Sequence, residues 1–161
     1  MKKREPEKEF EEKYDRYGSM LYKIAFLYLG NASDAEDALQ DVFAKYFFTQ
    51  KSFNNAEHEK AWFIRVTQNK CLDILKKRDR QNINIDEISV TAPNEKETQE
   101  DVVRCVLALP PKYKAAIILY YYSSCTTEEI SAILKISKSA VKKRLQRGRE
   151  MLRLELEDYK N

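Results

Sequence analysis

Residues 126–148 read TTEEISAILKISKSAVKKRLQRG. Thr126 and Glu129 stand three apart, the spacing of a capping box, in which a hydroxyl and a carboxylate satisfy two orphan amides at a helix start. Ile130, Ile133 and Leu134 follow in helical steps and give that short helix an inner face. Ile136 plugs a corner, and Ser137 is placed to cap a second helix. Along that second helix Val141, Leu145, Gly148 and Leu152 share one side, while Ser139, Lys142, Lys143, Gln146 and Arg147 share the other. From Lys138 to Arg149 there are six bases and no acid. A basic helix face alone is most often a solvated one. Joined to the caps, the tight corner and the missing acids, it predicts a helix-turn-helix whose second helix enters a DNA major groove. Early outward residues of such a helix reach base edges, and later bases reach phosphates.

The chain around it has 161 residues, 34% charged and 43% apolar, with 3 Gly and 4 Pro. That balance suits a soluble, all-α protein of two small helical domains. The spacing predicts a first helix over about Glu7–Leu29, where Phe10, Tyr14, Tyr17, Leu21, Ile24 and Tyr28 recur in steps of three and four. GNASD stops it and starts the next helix, with Ser33 as N-cap and Glu36 at the capping-box position. That second helix, about Asp34–Thr49, buries Leu39, Val42, Phe43 and Tyr46. Its opposite side carries Asp37, Asp41 and Phe48, with Gln40 beside them. The loop QKSFNNAE leads into a third helix, where Ile64, Cys71 and Leu75 form the core stripe. By the same phase Trp62 falls nearly opposite, among Asn69, Lys76, Lys77 and Arg80. Residues 82–98 lose periodicity and gain acids, and read as a flexible acidic linker. The expected division is 1–81, a linker over 82–98, and 99–161 with the helix-turn-helix.

Cys71, Cys105 and Cys125 are odd in number and widely spaced, so they read as small buried hydrophobes kept reduced. The single His58 has no partners at ligand spacing, and no Gly-rich phosphate loop is present. No metal, cofactor or catalytic constellation is therefore expected. Without a membrane-length apolar run or a signal-peptide pattern, the expected location is the cytoplasm.

Three stretches carry a family resemblance: DAEDALQDVF (34–43), AWFIRVTQNKCLDILKKR (61–78) and LALPPKYKAAIILYYYSSCTTEEISAILKISKSAVKKRLQRGREML (107–152). In this order and spacing they resemble the compact bacterial sigma factors of the extracytoplasmic-function (ECF) group, in the sigma-70 family. The resemblance implies a non-enzymatic transcription initiation factor with core RNA polymerase and promoter DNA, double- and single-stranded, as partners. An anti-sigma factor is a further candidate partner. It implies that Asp37, Gln40, Asp41 and Phe48 meet core polymerase. Lys138, Ser139, Lys142, Lys143, Gln146 and Arg147 would read the minus-thirty-five element. Ser139 and Ala140 stand where the family often has Gly-Thr, and Gly148 where it often has Ala.

The third stretch of contacts would serve the minus-ten element: Phe53, Asn54, Asn55, Trp62, Phe63, Arg65, Asn69, Lys70, Lys76, Lys77 and Arg80. The resemblance places a tryptophan at the position of Trp62. Aromatic rings among bases hold unstacked nucleotides. Trp62 is thus expected to prop the melting junction with Phe63 beside it, while Asn54 and Asn55 are candidates to hold a flipped base.

Overall fold

A computed structural model describes residues 6–81 and 97–160, with side chains placed over 6–81 and 101–153. The described residues form seven helices and no strand: α1 (Pro6–Leu29), α2 (Ala32–Thr49), α3 (Ala56–Arg80), α4 (Glu97–Ala108), α5 (Pro111–Tyr121), α6 (Thr127–Leu134) and α7 (Lys138–Lys160). The stretch read as a linker lies outside the described residues up to 96, and its last two positions already belong to α4.

The corner between α1 and α2 is set by Gly30. Its φ of 81° is the left-handed conformation that glycine adopts without strain, and its amide donates to the Phe26 carbonyl at 2.8 Å. The N-cap of α2 is Asn31, whose Oδ1 accepts from the Asp34 amide at 2.8 Å, so α2 starts earlier than Ser33 predicts. Ser33 lies exposed in the first turn instead. A tight αL turn brings the chain round sooner than a Ser-x-x-Glu pattern shows.

Helices α1, α2 and α3 pack around Leu21, Ile24, Tyr28, Val42, Phe43 and Ile64, all nearly inaccessible. Two buried ionic contacts lock this bundle. Glu59 on α3 accepts from Lys13 Nζ at 2.9 Å and from Tyr17 Oη at 2.8 Å, both on α1. Burial, reinforced by the Glu59 carboxylate, pushes the Tyr17 hydroxyl above its usual pKa. At the far end of α3, Arg78 donates to the Leu29 carbonyl at 2.8 Å and to the Asp34 carboxylate, pinning the α1–α2 corner. Pairing of this kind offsets part of the desolvation cost of burying these charges.

The second unit wraps α4, α5 and α6 around α7. Ile117 of α5 packs directly on Gly148 of α7, where an added Cβ would lie 2.8 Å from Ile117 Cγ1. The two units also meet: α4 and α5 lie on α1, and α6 lies on α3. Cys71, Cys105 and Cys125 are all buried, as small hydrophobes should be.

Candidate nucleic-acid and polymerase interfaces

The helix-turn-helix follows the sequence pattern closely. The Glu129 amide donates to Thr126 Oγ1 at 3.1 Å and the Thr126 amide to Glu129 Oε1 at 3.3 Å. Lys135 turns the corner with φ 57°, a left-handed residue that the sequence does not announce. The Ser131 hydroxyl donates to the Ile136 carbonyl across that corner, and Ser137 Oγ accepts from the Ala140 amide at 3.0 Å, which starts α7. Val141 and Leu145 are buried beneath. Lys138, Ser139, Lys142, Lys143, Gln146 and Arg147 are all exposed. Lys138 reaches back to Glu128 at 2.9 Å, and that hydrogen bond holds the Glu128 carboxyl below its usual pKa. Beside α7 runs a groove of about 480 Å³ lined by Lys112, Tyr113, Lys143, Arg144, Gln146 and Arg147. Lys112 was not among the expected contacts. Its signal in the sequence is slight, a base just after the Pro-Pro that starts α5.

On α3 the picture differs from expectation. Asn69, Lys76, Lys77 and Arg80 are exposed, and Arg65 and Lys70 are half-buried. Trp62, expected on the outer face, is only 7% exposed, and Phe63 is fully buried. The Trp62 ring packs against Phe53 at 5.6 Å and Tyr46 at 6.2 Å, with Lys51 Nζ 5.7 Å from its centroid. The reason is non-local. The helical phase through Ile64 and Cys71 is correct, but the loop over 50–55 folds back and covers the side of α3 that the phase leaves open. Phe53, half-buried, is the lid of this cluster. Asn54 and Asn55 are exposed, and Asn55 Oδ1 is engaged as the α3 N-cap, accepting from the His58 amide at 2.8 Å. A cleft of about 420 Å³ opens between this loop and the start of α1, reaching Lys51, Ser52 and Phe53.

The outer face of α2 carries Asp37, Gln40 and Asp41, all exposed, with Phe48 at its end 81% exposed. Tyr14 of α1, 47% exposed, stands beside them rather than in the core stripe where its spacing put it. A groove of about 340 Å³ between α1 and α2 runs past Tyr14, Tyr22, Glu36 and Gln40. Asp41 is ion-paired with Lys70 of α3 at 2.8 Å. One residue expected at polymerase and one expected at DNA therefore hold each other. Among the described residues, no group of three or more His, Cys, Asp or Glu is placed to hold a metal, and no helix is long and apolar enough to cross a membrane.

An all-helical chain with one exposed acidic face and a capped helix-turn-helix bearing a base-rich outer face belongs to the class of modular DNA-binding transcription proteins. Residues 14–81 match the family model for sigma-70 region 2, and residues 99–152 match that for sigma-70 region 4. The chain is 30% identical to RNA polymerase sigma factor SigV of Bacillus subtilis, covering 84% of this chain and 83% of that one. It is 28% identical to the ECF RNA polymerase sigma factor SigW of the same organism, covering 89% and 87%. With the ECF sigma factor SigE of Mycolicibacterium smegmatis it shares 28% identity over 86% of this chain, but spans only 58% of that relative. The fold is that of the sigma factor RpoE of Bartonella quintana, solved with the anti-sigma factor NepR (TM-score 0.78, 24% identity, 93% and 98% covered). It is also that of CnrH, solved with the cytosolic domain of CnrY (TM-score 0.72, 21% identity, 94% and 90% covered). The chain belongs to the ECF group of the sigma-70 family. It is an alternative sigma factor, which binds core RNA polymerase and directs promoter recognition, promoter opening and transcription initiation.

Proposed function

We propose a division of labour along the chain, with residues 1–81 for core binding and the minus-ten element, 82–98 as linker, and 99–161 for the minus-thirty-five element. The observation that carries it is the separation of charge: exposed acids on α2, and six exposed residues, mostly bases, on α7. Asp37, Gln40, Asp41 and Phe48 dock on a polymerase surface offering bases and an apolar notch. Lys138, Ser139, Lys142, Lys143, Gln146 and Arg147 read the upstream element, with Lys112 as an added phosphate contact. Arg65, Asn69, Lys70, Lys76, Lys77 and Arg80 follow the backbone of the minus-ten element. Asn54 and the free amide edge of Asn55 hold a flipped base above Phe53. Trp62 and Phe63 serve this site from beneath, as the floor that shapes the loop. Polymerase supplies the bond-making chemistry, and the chain itself is not an enzyme. It works in the cytoplasm, with an anti-sigma factor as a candidate partner.

Pull-down of core polymerase with Asp37→Lys and Asp41→Lys, checked by circular dichroism, tests the first assignment. Both variants should stay folded and lose binding, and undiminished binding by both would remove the claim. Alanine at Lys142, Lys143 and Arg147 together should weaken promoter binding by holoenzyme and flatten its salt dependence. Unchanged binding would show that α7 does not face DNA.

A further inference from the structure

The seam between the two units buries a lysine that no carboxylate of the described residues pairs. Lys114 of α5 is only 6% exposed. Its Nζ lies 5.9 Å from the ring centroid of Tyr28 on α1. The other titratable groups facing it are Cys71 and Arg78 of α3. Among the described residues no carboxylate faces it, and Arg78 is already committed to Leu29 and Asp34. Burial pulls the Lys114 ammonium down to about 8. Among the described residues its attractive neighbours are only the Tyr28 ring, at the limit of cation–π reach, and the Cys71 thiol, too little to offset burial, so closing the seam disfavours the charged form of this side chain.

The closed arrangement also conflicts with the reading above, on which this step rests. A 161-residue chain collapsed on one core is about 40 Å across, from a radius of gyration near 15 Å. Elements about 25 base pairs apart lie about 85 Å from each other along a duplex. The closed chain cannot sit on both, so the units must part. At full extension the stretch 82–96 alone reaches about 50 Å, enough to let them.

We infer that Lys114 is a built-in spring: a buried ammonium under the seam, with no carboxylate among the described residues to hold it, that keeps the closed form openable, so that polymerase and promoter can draw the units apart. Parting returns the ammonium to water. Closing expels it from water for no more than one long contact with the Tyr28 ring. Met at this position would keep the stem's packing and remove the charge.

The test is single-molecule energy transfer on the full-length chain. Dyes are placed through Ser19→Cys on α1 and Ala132→Cys on α6, both exposed, in a chain whose native Cys71, Cys105 and Cys125 are replaced by alanine, because opening the seam would uncover Cys71. The wild-type chain should exchange between high and low transfer and shift towards high transfer as pH rises through about 8. Lys114→Met should stay at high transfer, ignore pH, and raise the closed-to-open ratio by about a hundredfold. Lys114→Gln, neutral and hydrophilic, serves if the Met variant misfolds, and should lose the pH response equally. A wild-type chain fixed in one state at every pH, or neutral variants that titrate like wild type, would overturn the inference. In transcription at limiting core polymerase, Lys114→Met should initiate less from a duplex promoter. Unchanged initiation beside altered transfer would overturn the link to function. Failure of the wild type itself to bind polymerase would instead overturn the family-based reading, leaving the spring standing.

Discussion

Replacing Trp62 by alanine separates packing from promoter opening. The ring is 7% exposed and meets Phe53, Tyr46 and Phe63 within 5.0–6.2 Å. Truncating a buried Trp to Ala costs about 3–5 kcal/mol, the lower end applying where the surroundings can collapse. Here one wall is the loop over 50–55, which can settle into the gap, so about 3 kcal/mol is expected. Against a total of about 5–15 kcal/mol the chain should still fold. Its melting temperature should fall by about 6–12 °C, at about 2–4 °C per kcal/mol for a protein of this size. Urea titration followed by circular dichroism measures the loss, with Trp62→Phe as the conservative control. At a temperature where the variant is fully folded, permanganate reactivity of promoter thymines should still drop, because the loop has lost its floor. A pre-melted template should recover most of the signal. A stability loss below about 1 kcal/mol would refute the packing argument, since no well-packed Trp is so cheap to remove. A full loss with normal opening would leave Trp62 a core residue only.

Four further expectations follow from local geometry. Arg78→Met should cost about 2–3 kcal/mol, because it strands the Leu29 carbonyl and the Asp34 carboxylate; a double-mutant cycle with Asp34→Asn should show coupling, and additive losses would contradict the contact. Burial pushes the Asp34 carboxyl up, but the Asn31 amide and Arg78 outweigh it and hold its pKa below the usual value; its contribution is therefore intact above the unfolded value near 3.8 and lost as pH falls through the folded one, and acid titration of wild type against Asp34→Asn should show that difference only below about pH 4. Lys135→Gly should raise stability by about 1 kcal/mol by relieving a left-handed residue, whereas Gly148→Ala should lower it by about 1–2 kcal/mol despite the better helix propensity, because the new Cβ meets Ile117; thermal melts decide both signs.

The parts that could be read from sequence are those set by near neighbours. The box of Thr126 and Glu129, the cap at Ser137 and the phase of Val141 and Leu145 all act within one or two turns, so the helix-turn-helix came out with its outer face correct. The acidic face of α2 was legible for the same reason: Leu39, Val42, Phe43 and Tyr46 define a stripe that leaves Asp37 and Asp41 outside. Trp62 was misread because its burial depends on a loop folding back from the other side. The start of α2 was misread because Gly30 turns the chain one step before the Ser33 pattern would act. Lys114 gave no sign at all. A lysine four residues into a helix reads as solvated, and only the packing of α5 on α1 and of α6 on α3 puts it under cover.

The ion pair between Asp41 and Lys70 sets a bound on cooperation between partners. Under the roles proposed, polymerase engages one member and the minus-ten strand the other. Each partner must break the same contact, so whichever arrives first spares the second that cost. With side-chain exposures of 57% and 34%, the pair contributes at most about 1 kcal/mol. The advantage handed from one partner to the other is then about fivefold at most, and it is the same in both directions, because a coupling free energy is reciprocal. Charge reversal at both positions, Asp41→Lys with Lys70→Asp, would restore the bond in the free chain while offering each partner the wrong sign.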